Sequence, residues 1–340
     1  MSTVQQRASG CLFGLALGDA LGAHTEFLSL AQSRARFPPD GPREPLGDPA
    51  RVTDDTQMTL AVGEALLAVE RERRFRPESL EESLRRGFVA WLRDPENDRA
   101  PGATCLQACR RLARDMPWTR ATVAESKGCG ANMRVAPVGL LLPQRHGLTP
   151  TVRAAIAQLQ SALTHGHPTA LAASDLTAYA IADLCAGGTR KGLVERLIEY
   201  AESQRRIYHG DWLESLWQHP GFRSPEEFIE HGWHECLLAL RHLADALGRY
   251  DGEADPCGYT GAGWIAEEAL ATALLCFLHC EDPVRVLRRA ALTTGDSDSI
   301  ACLAGAFAGA HLGVGAWPAE WCARIEYRDR LAALGRAWDA

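Results

Sequence analysis

The chain has 340 residues with a net charge of −7, and 46% of its residues are apolar. These values are typical of a globular protein with a sizeable core, and the acidic balance without a basic run argues against nucleic acid or an anionic membrane as a partner. The eleven cysteines form no CxxC pair, which argues against a disulfide framework or a zinc cage and indicates reduced thiols in a cytoplasmic protein.

Nearly every segment has the apolar spacing of a helix, and no segment alternates convincingly like a strand. Helices are predicted at about residues 4–22, 52–69, 77–91, 104–114, 132–142, 151–163, 168–187, 224–248, 264–278 and 282–295. We therefore expect an all-α fold, with residues 1–340 forming one compact domain, a bundle of a dozen or more helices. We also expect a monomer. No membrane-spanning segment is expected, because no apolar run is long enough to cross a bilayer.

The first predicted helix carries a row of glycines. They recur at four-residue intervals: Gly10, Gly14, Gly18 and Gly22. Such a row lowers helix propensity but leaves a groove in which another helix can approach closely. The apolar run at residues 10–18 is similar to part of a signal peptide, but Asp19 interrupts it and the helix pattern continues, so we reject a targeting segment. Glu26 follows on the exit from this helix.

The second predicted helix begins with two adjacent carboxylates, Asp54 and Asp55, after Thr53. One side chain suffices as a helix cap, so the second carboxylate asks for a counter-charge. The helix dipole supplies part of that charge, and a divalent cation would supply far more. A doubly acidic first turn and a cation site both stay open for this segment.

A glycine turn is predicted before the helix at 132–142. It consists of small residues and one amide: Gly128, Cys129, Gly130, Ala131 and Asn132. Backbone N–H groups in such a turn can cradle an anion, although many turns of this kind bind nothing. Arg134 is interpreted as a surface ion pair rather than a phosphate ligand. For His165 and His167, capping of backbone groups is favoured over a zinc site, with donation to a phosphate or ribose as a further interpretation.

The last strong motif lies at residues 293–299, where Asp296 and Asp298 are two residues apart. Residues at that spacing share no helix face, so the two carboxylates would converge only on a turn or at a helix start. Hydroxyl-bearing neighbours, including Ser299, suit a turn that wraps a hard cation. The alternative is that Asp296 or Ser297 caps the following helix.

Together, the two acidic segments offer four carboxylates and two hydroxyls, and Glu26 would add a fifth carboxylate. The candidate metal ligands are Thr53, Asp54, Asp55, Asp296, Asp298 and Ser299. An all-oxygen set suits Mg²⁺ or Mn²⁺ better than zinc. Five carboxylates are excessive for one ion and reasonable for two ions roughly 3.5–4 Å apart, which can orient sugar hydroxyls and generate a hydroxide-like nucleophile.

Six segments, taken in order, resemble the ADP-ribosylglycohydrolase family, the ADP-ribosyl-hydrolases related to dinitrogenase reductase-activating glycohydrolase. They are GCLFGLALGDALG at residues 10–22, TDDT at 53–56, GCGANMR at 128–134, TH at 164–165, GWIAEEAL at 263–270 and GDSDS at 295–299. The resemblance implies an all-α fold with two Mg²⁺ or Mn²⁺ ions on the six candidate ligands. It also implies that Glu26 acts in catalysis and that Gly102 lies beside the substrate ribose. The diphosphate and nearby ribose would be held by Gly128, Gly130, Ala131, Asn132 and His165.

The reaction that the resemblance implies is hydrolysis at C1″ of ADP-ribose linked to a protein side chain, with Glu26, Asp54 or Asp55 accepting a proton from water. Family members that cleave arginine-linked ADP-ribose often have an Asp-Ile-Gly sequence where this chain has residues 100–102, Ala-Pro-Gly. Asp98 is close but out of register, so the identity of the cleaved bond stays open. The alternatives are a hydrolase for ADP-ribose linked to a nucleobase or a small guanidine compound, and a non-catalytic ADP-ribose-binding or structural relative.

Overall fold

The structure, a computed structural model, describes residues 6–72, 75–141, 148–218 and 221–339. Within these ranges every regular element is a helix, apart from four isolated β-bridges, and no helix is both long and apolar enough to cross a membrane. The prediction of an all-α fold with a dozen or more helices is confirmed. The α-helices are α1 Arg7–Gly22, α2 Leu30–Arg36, α3 Asp54–Arg71, α4 Pro77–Arg93, α5 Ala103–Leu112, α6 Trp118–Ala121, α7 Ala136–Gly139, α8 Pro150–Ala162, α9 Pro168–Cys185, α10 Leu193–Gln204, α11 Gly210–Leu213, α12 Pro225–Leu247, α13 Cys257–Thr260, α14 Ala266–His279, α15 Pro283–Ala291, α16 Ser297–Leu312, α17 Ala319–Arg324 and α18 Arg328–Trp338. Short 3-10 helices cover Cys129–Ala131, Leu216–Gln218 and Val314–Ala316.

Helices α1 and α16 are both almost entirely buried, and their backbones touch. A Cβ atom added at Gly14 would lie 2.3 Å from the carbonyl oxygen of Gly305, and one added at Gly18 would lie 2.0 Å from that of Ala301. Side chains at these positions would therefore push the two helices apart. The predicted groove for close helix approach is confirmed, and the helix that fills it is α16.

The two central helices run antiparallel, and this direction assembles the candidate site. Gly22, at the end of α1, lies against Ser297, the first residue of α16. The exit of α1, which leads to Glu26, therefore lies beside the start of α16, which carries Asp298. Two segments that are about 270 residues apart in the chain meet at one end of the central helix pair.

A buried aspartate of α1 fixes the start of α3 at the same end of the molecule. The carboxylate of Asp19 accepts hydrogen bonds from the backbone N–H groups of Thr53 at 3.0 Å and Thr56 at 3.1 Å, and from the Thr56 hydroxyl. These bonds satisfy N–H groups that the first turn of a helix leaves unpaired. The acidic segment at the start of α3, with Asp54 and Asp55, is thereby anchored directly to the central helix pair.

The two helix starts predicted from caps, and one of the two predicted ends, agree with the structure. Helix α12 begins at Pro225 after Ser224, whose hydroxyl accepts from the N–H of Glu227 at 3.1 Å, and Gly248 is its C-cap. Helix α15 begins at Pro283 as expected but ends at Ala291, several residues before the predicted end. The helix is shorter than predicted because the chain turns after residue 291 and carries the acidic segment with Asp296 and Asp298 to the start of α16.

The helix predicted over residues 132–142 is wrong for most of its length. A 3-10 helix ends at Ala131, a turn follows, and α7 spans only Ala136–Gly139. Pro137 is tolerated in the first turn of α7, but it disfavours a helical residue before it and cannot continue a helix from the turn. Residue 142 lies outside the described residues, as do residues 4 and 5 of the first predicted helix. The helix predicted from residue 264 begins at Ala266, which leaves Trp264 outside it.

Candidate active site

Three carboxylates meet where α1 ends and α16 begins. Ligand oxygens of Glu26, Asp296 and Asp298 lie within 4.8 Å of one another, and both aspartates are buried. Asp296 occupies the N-cap position of α16, yet its side chain forms no capping hydrogen bond. The hydroxyl of Ser297 donates instead to the carbonyl oxygen of Gly22 at 2.9 Å. Helix capping therefore does not account for these carboxylates.

The acidic segment at the start of α3 lines the same cleft. Thr53 is the N-cap of α3, and its hydroxyl accepts from the backbone N–H of Asp55 at 3.3 Å, so neither aspartate is needed as a cap. Asp54 accepts from the N–H of Gly102 at 3.4 Å. Within the described chain, Oδ2 of Asp55 is buried without a hydrogen-bond partner. A buried oxygen of this kind is stabilised only when a cation or a hydrogen-bond donor binds to it from outside the protein.

We call Glu26, Asp54, Asp55, Asp296 and Asp298 the acidic cluster. Burial, followed by repulsion from Asp298, raises the pKa of Glu26 to about 9 and that of Asp54 to about 8. The same two causes raise the pKa values of Asp55 and Asp296. The protein alone therefore holds the cluster partly protonated, and a divalent cation would favour its fully charged form.

The donor set of the cluster fits a hard cation. Ser299 lines the cleft beside the carboxylates, and its side chain is buried at the start of α16. Thr53 lies at the start of α3, where its hydroxyl already accepts one hydrogen bond as a cap. Carboxylate and hydroxyl oxygens are the ligands that Mg²⁺ and Mn²⁺ prefer, and the unpartnered oxygen of Asp55 is one of them. The structure thus contains an acidic cluster that can hold a metal ion.

The acidic cluster lines a cleft of about 340 Å³, which Gly102, Gly128, Gly130 and His165 also line. A Cβ atom added at Gly130 would lie 2.8 Å from Sγ of Cys105 and 3.0 Å from Cε1 of His165. Any side chain at this position would therefore occupy space beside the histidine. The glycine turn keeps that part of the cleft open.

Two residues of the predicted turn do not reach the cleft. Ala131 and Asn132 are fully buried behind it, and the side-chain amide of Asn132 donates to the carbonyl oxygen of Ala266 at 3.2 Å. Asn132 thereby ties the turn to α14, the carbonyl oxygen of Ala131 accepts from the side-chain amide of Gln160 at 3.0 Å, and neither residue lines the cleft. His167 is also outside the cleft lining: its Nδ1 accepts from the N–H of Thr169 at 3.2 Å, so the capping interpretation is confirmed for this histidine.

The interpretation of Arg134 as a surface ion pair is wrong. Its side chain is fully buried, and its guanidinium donates to the carbonyl oxygen of Gly130 at 3.1 Å and to the hydroxyl of Thr164 at 2.8 Å. The guanidinium also lies over the ring of Phe88, 4.4 Å from its centroid. Because it lies behind the glycine turn, Arg134 is neither a surface residue nor a direct phosphate ligand.

Sequence reasoning missed Asp19 as a site residue. This carboxylate is fully buried, and its burial together with repulsion from Asp298 raises its pKa to about 7. It holds the start of α3 through the N–H groups of Thr53 and Thr56. The available signal was a single acid within an otherwise apolar, glycine-rich helix.

An aromatic pair at the cleft was also missed. Phe27 and Trp264 stack with ring centroids 5.5 Å apart and planes 14° from parallel, although they are 67% and 43% exposed. Phe27 has a φ of 62°, a left-handed conformation that residues other than glycine rarely adopt. The pair presents apolar ring surface beside Glu26 and the glycine turn. The sign of this pair in the sequence is that Phe27 directly follows an acidic residue and Trp264 directly follows a glycine.

Comparisons with known proteins identify the family of the chain. The family model for ADP-ribosylglycohydrolase matches residues 1–340. The chain belongs to the ADP-ribosylglycohydrolase family. It is 27% identical to ADP-ribosylhydrolase ARH3 of Mus musculus, over 96% of this chain and 90% of that protein. It is 32% identical to the ADP-ribosyl-[dinitrogen reductase] glycohydrolase of Rhodospirillum rubrum, over 49% of this chain and 53% of that protein.

A solved structure confirms the fold of the chain. It is described as an ADP-ribosylglycohydrolase-related protein complex, and it matches with a TM-score of 0.69 and 26% identity over 99% of this chain and 98% of its own. The family resemblance carried by the six sequence segments is thereby confirmed. The protein is an enzyme that hydrolyses a glycosidic bond to release ADP-ribose.

Proposed function

We propose that this ADP-ribosylglycohydrolase removes ADP-ribose from a modified protein side chain with the help of two divalent cations, Mg²⁺ or Mn²⁺. The observation that carries the proposal is that a buried acidic cluster and an open glycine turn line one cleft. A cavity of about 340 Å³ is within the range of small-molecule sites. One part of the cleft suits cations and the ribose hydroxyls, and the other suits the diphosphate.

The proposed cation ligands are the six oxygen-bearing residues at the starts of α3 and α16. They are Thr53, Asp54, Asp55, Asp296, Asp298 and Ser299. When bound, such ions would offset the charge of the acidic cluster and lower the pKa of a bound water. The unpartnered Oδ2 of Asp55 and the raised pKa values of the cluster support this assignment.

Glu26 is our candidate for the group that accepts the proton of the attacking water. It is the most exposed carboxylate of the acidic cluster, which is otherwise buried, so it has direct access to water in the cleft. Burial raises its pKa to about 9 in the free protein, and bound cations would lower it toward the operating pH. Asp54 and Asp55 stay alternatives, although their burial and proposed cation contacts leave them less free.

The glycines and the histidine of the cleft would hold the substrate. Gly128, Gly130 and His165 are proposed to contact the diphosphate, and Gly102 the ribose. The N–H of Gly102 donates to Asp54 at 3.4 Å, which ties this loop to the acidic cluster. Positive charge that develops on the ribose in the transition state would be stabilised by the nearby carboxylates.

The loop beside Gly102 leaves the identity of the leaving group open. Ala100 and Pro101 line the cleft beside Gly102 and carry no carboxylate that could pair with a guanidinium. The cleft therefore offers no dedicated partner for an arginine side chain in this loop. We also propose that the protein is a monomer and that it is cytoplasmic, and its eleven free thiols are in line with a reducing compartment.

A panel of substrates tests the proposal. Proteins carrying ADP-ribose on arginine or serine, and an oligonucleotide carrying it on a base, are incubated with enzyme and Mn²⁺, and free ADP-ribose is measured by mass spectrometry. We expect release from a protein substrate, at a rate at least about 100-fold lower for Glu26→Gln. Release from the nucleobase alone would favour the alternative hydrolase. Binding of ADP-ribose without release from any substrate would favour a non-catalytic relative.

A further inference from the structure

A buried arginine lies behind the cleft, and its hydrogen bonds lead to His165. Its acceptors are Oε1 of Gln160 at 3.0 Å, the carbonyl oxygens of Gln160 at 2.8 Å and Gly130 at 3.1 Å, and the hydroxyl of Thr164 at 2.8 Å, with the sulfurs of Met58 and Cys105 at 3.5 and 3.7 Å. Among the described residues, all the hydrogen-bond partners of the Arg134 guanidinium are neutral acceptors. A fully buried charge held in this way is fixed in one orientation.

The hydroxyl of Thr164 has a single proton, and its neighbours decide where that proton points. Arg134 donates to this hydroxyl and cannot accept from it. Nδ1 of His165 lies 2.8 Å from Oγ1, whereas the carbonyl oxygen of Ser161 lies 3.5 Å away. That carbonyl already accepts the backbone N–H groups of both Thr164 and His165. The hydroxyl proton of Thr164 therefore goes to Nδ1 of His165.

The bond at Nδ1 determines what the other ring nitrogen of His165 can do. Burial and the nearby Arg134 lower the pKa of His165 to about 3, so the ring is neutral at physiological pH. A neutral imidazole that accepts at Nδ1 carries its proton at Nε2. A Cβ atom added at Gly128 would lie 3.4 Å from Nε2, and one added at Gly130 would lie 3.3 Å from it. Nε2 thus faces the space that the two glycines leave open.

We propose that Arg134 and Thr164 are positioning residues that fix His165 as the Nε2–H tautomer, so that the ring donates a hydrogen bond to an anionic oxygen of the substrate. The identity of that anion, the diphosphate of ADP-ribose, rests on the proposed function. The opposite tautomer would turn a lone pair toward the anion and repel it. Because Arg134 is permanently charged, this arrangement is set before the ligand arrives.

The direct test reads the tautomer of His165 in the free protein. Two-bond ¹H–¹⁵N NMR spectra of protein labelled with ¹⁵N-histidine show which ring nitrogen carries the proton, and His165→Gln identifies the signal among eleven histidines. We expect only the Nε2–H form in wild type and in Thr164→Ser. Thr164→Val keeps the size but removes the hydroxyl proton, so we expect it to populate the Nδ1–H form. A wild-type ring protonated at Nδ1 would overturn the proposal, whether or not the valine variant folds. A folded valine variant that keeps pure Nε2–H would overturn it as well.

Calorimetric titration with ADP-ribose supplies the second readout. We expect about tenfold weaker binding for Thr164→Val and near wild-type binding for Thr164→Ser, because one hydrogen bond to the anion is lost in the first variant alone. Equal binding by wild type and a folded Thr164→Val would overturn the positioning role. If the tautomer follows Thr164 while wild type fails to bind ADP-ribose, the positioning of the ring stands and the proposed function fails.

Discussion

Replacement of Asp298 by asparagine should have opposite effects on stability with and without cations. Ligand oxygens of Asp298, Glu26 and Asp296 lie within 4.8 Å of one another, and repulsion from Asp298 raises the pKa of every other carboxyl in the acidic cluster. Removing its charge relieves that repulsion when no cation is present. Replacing the carboxylate by an amide, which has one neutral oxygen, weakens the cation site. Asp298→Asn should therefore be more stable than wild type in chelator and less stable in Mn²⁺.

The size of both effects follows from the structure. Two unit charges at 4.8 Å repel by about 3.5 kcal/mol at an effective dielectric constant near 20, and partial protonation of the cluster reduces the gain to about 2 kcal/mol. For a protein of 340 residues, the entropy of unfolding is about 0.7 kcal/mol per degree. A gain of about 2 kcal/mol should therefore raise the melting temperature of the variant by about 3 °C in chelator. A cation at 100 times its dissociation constant adds about 2.7 kcal/mol per site, or about 4 °C, to wild type.

The assay is thermal unfolding by circular dichroism in chelator and in Mn²⁺, with Asp329→Asn as the matched control. Asp329 is highly exposed, so its replacement should leave both melting temperatures unchanged within about 1 °C. A lower melting temperature for Asp298→Asn in chelator would refute the repulsion within the cluster. Equal stabilisation of both proteins by Mn²⁺ would refute Asp298 as a ligand.

Three further predictions concern the helix pair, a buried acid and the glycine turn. Gly18→Ala should lower the free energy of unfolding by about 3 kcal/mol, because its Cβ would lie 2.0 Å from a carbonyl oxygen, whereas Gly258→Ala, with no atom within 4 Å, should be neutral in denaturant titrations. Burial raises the pKa of Asp175 to about 6, so the stability from its protonated form is present below about pH 4 and lost as pH rises through 6. Asp175→Asn should therefore gain about 3 kcal/mol over wild type between pH 4 and 7, and a constant difference would contradict this. Gly130→Ala should weaken ADP-ribose binding at least about tenfold without changing cation binding, and calorimetry that shows equal loss of both would contradict it.

Local signals were sufficient for much of the fold. Ser224 before Pro225 and Asp282 before Pro283 mark helix starts because capping depends on residues within one turn. The glycine row of the first helix also predicted a close helix contact correctly. It did not identify α16 as the partner, because that choice depends on packing between segments far apart in the chain.

The residues that sequence reasoning misjudged depend on distant partners. Arg134 was expected at the surface, but Gln160 and Thr164, 26 and 30 residues further on, provide acceptors that let it be buried. The stacking of Phe27 on Trp264 joins segments that no local pattern connects. The four aspartates of the cleft were found from the sequence because adjacent or alternating carboxylates exceed what a helix cap requires, whereas the role of Glu26 came from the family resemblance.

The most direct test of the account is a calorimetric titration of Mg²⁺ and Mn²⁺ into wild type, with and without ADP-ribose. If the acidic cluster and the glycine turn form one site, two cations should bind, and ADP-ribose should bind at least about tenfold more tightly when they are present. By linkage, ADP-ribose should tighten cation binding by the same factor. Absence of cation binding by folded wild type would contradict the central claim, and cation and ADP-ribose binding that do not influence each other would contradict a shared site.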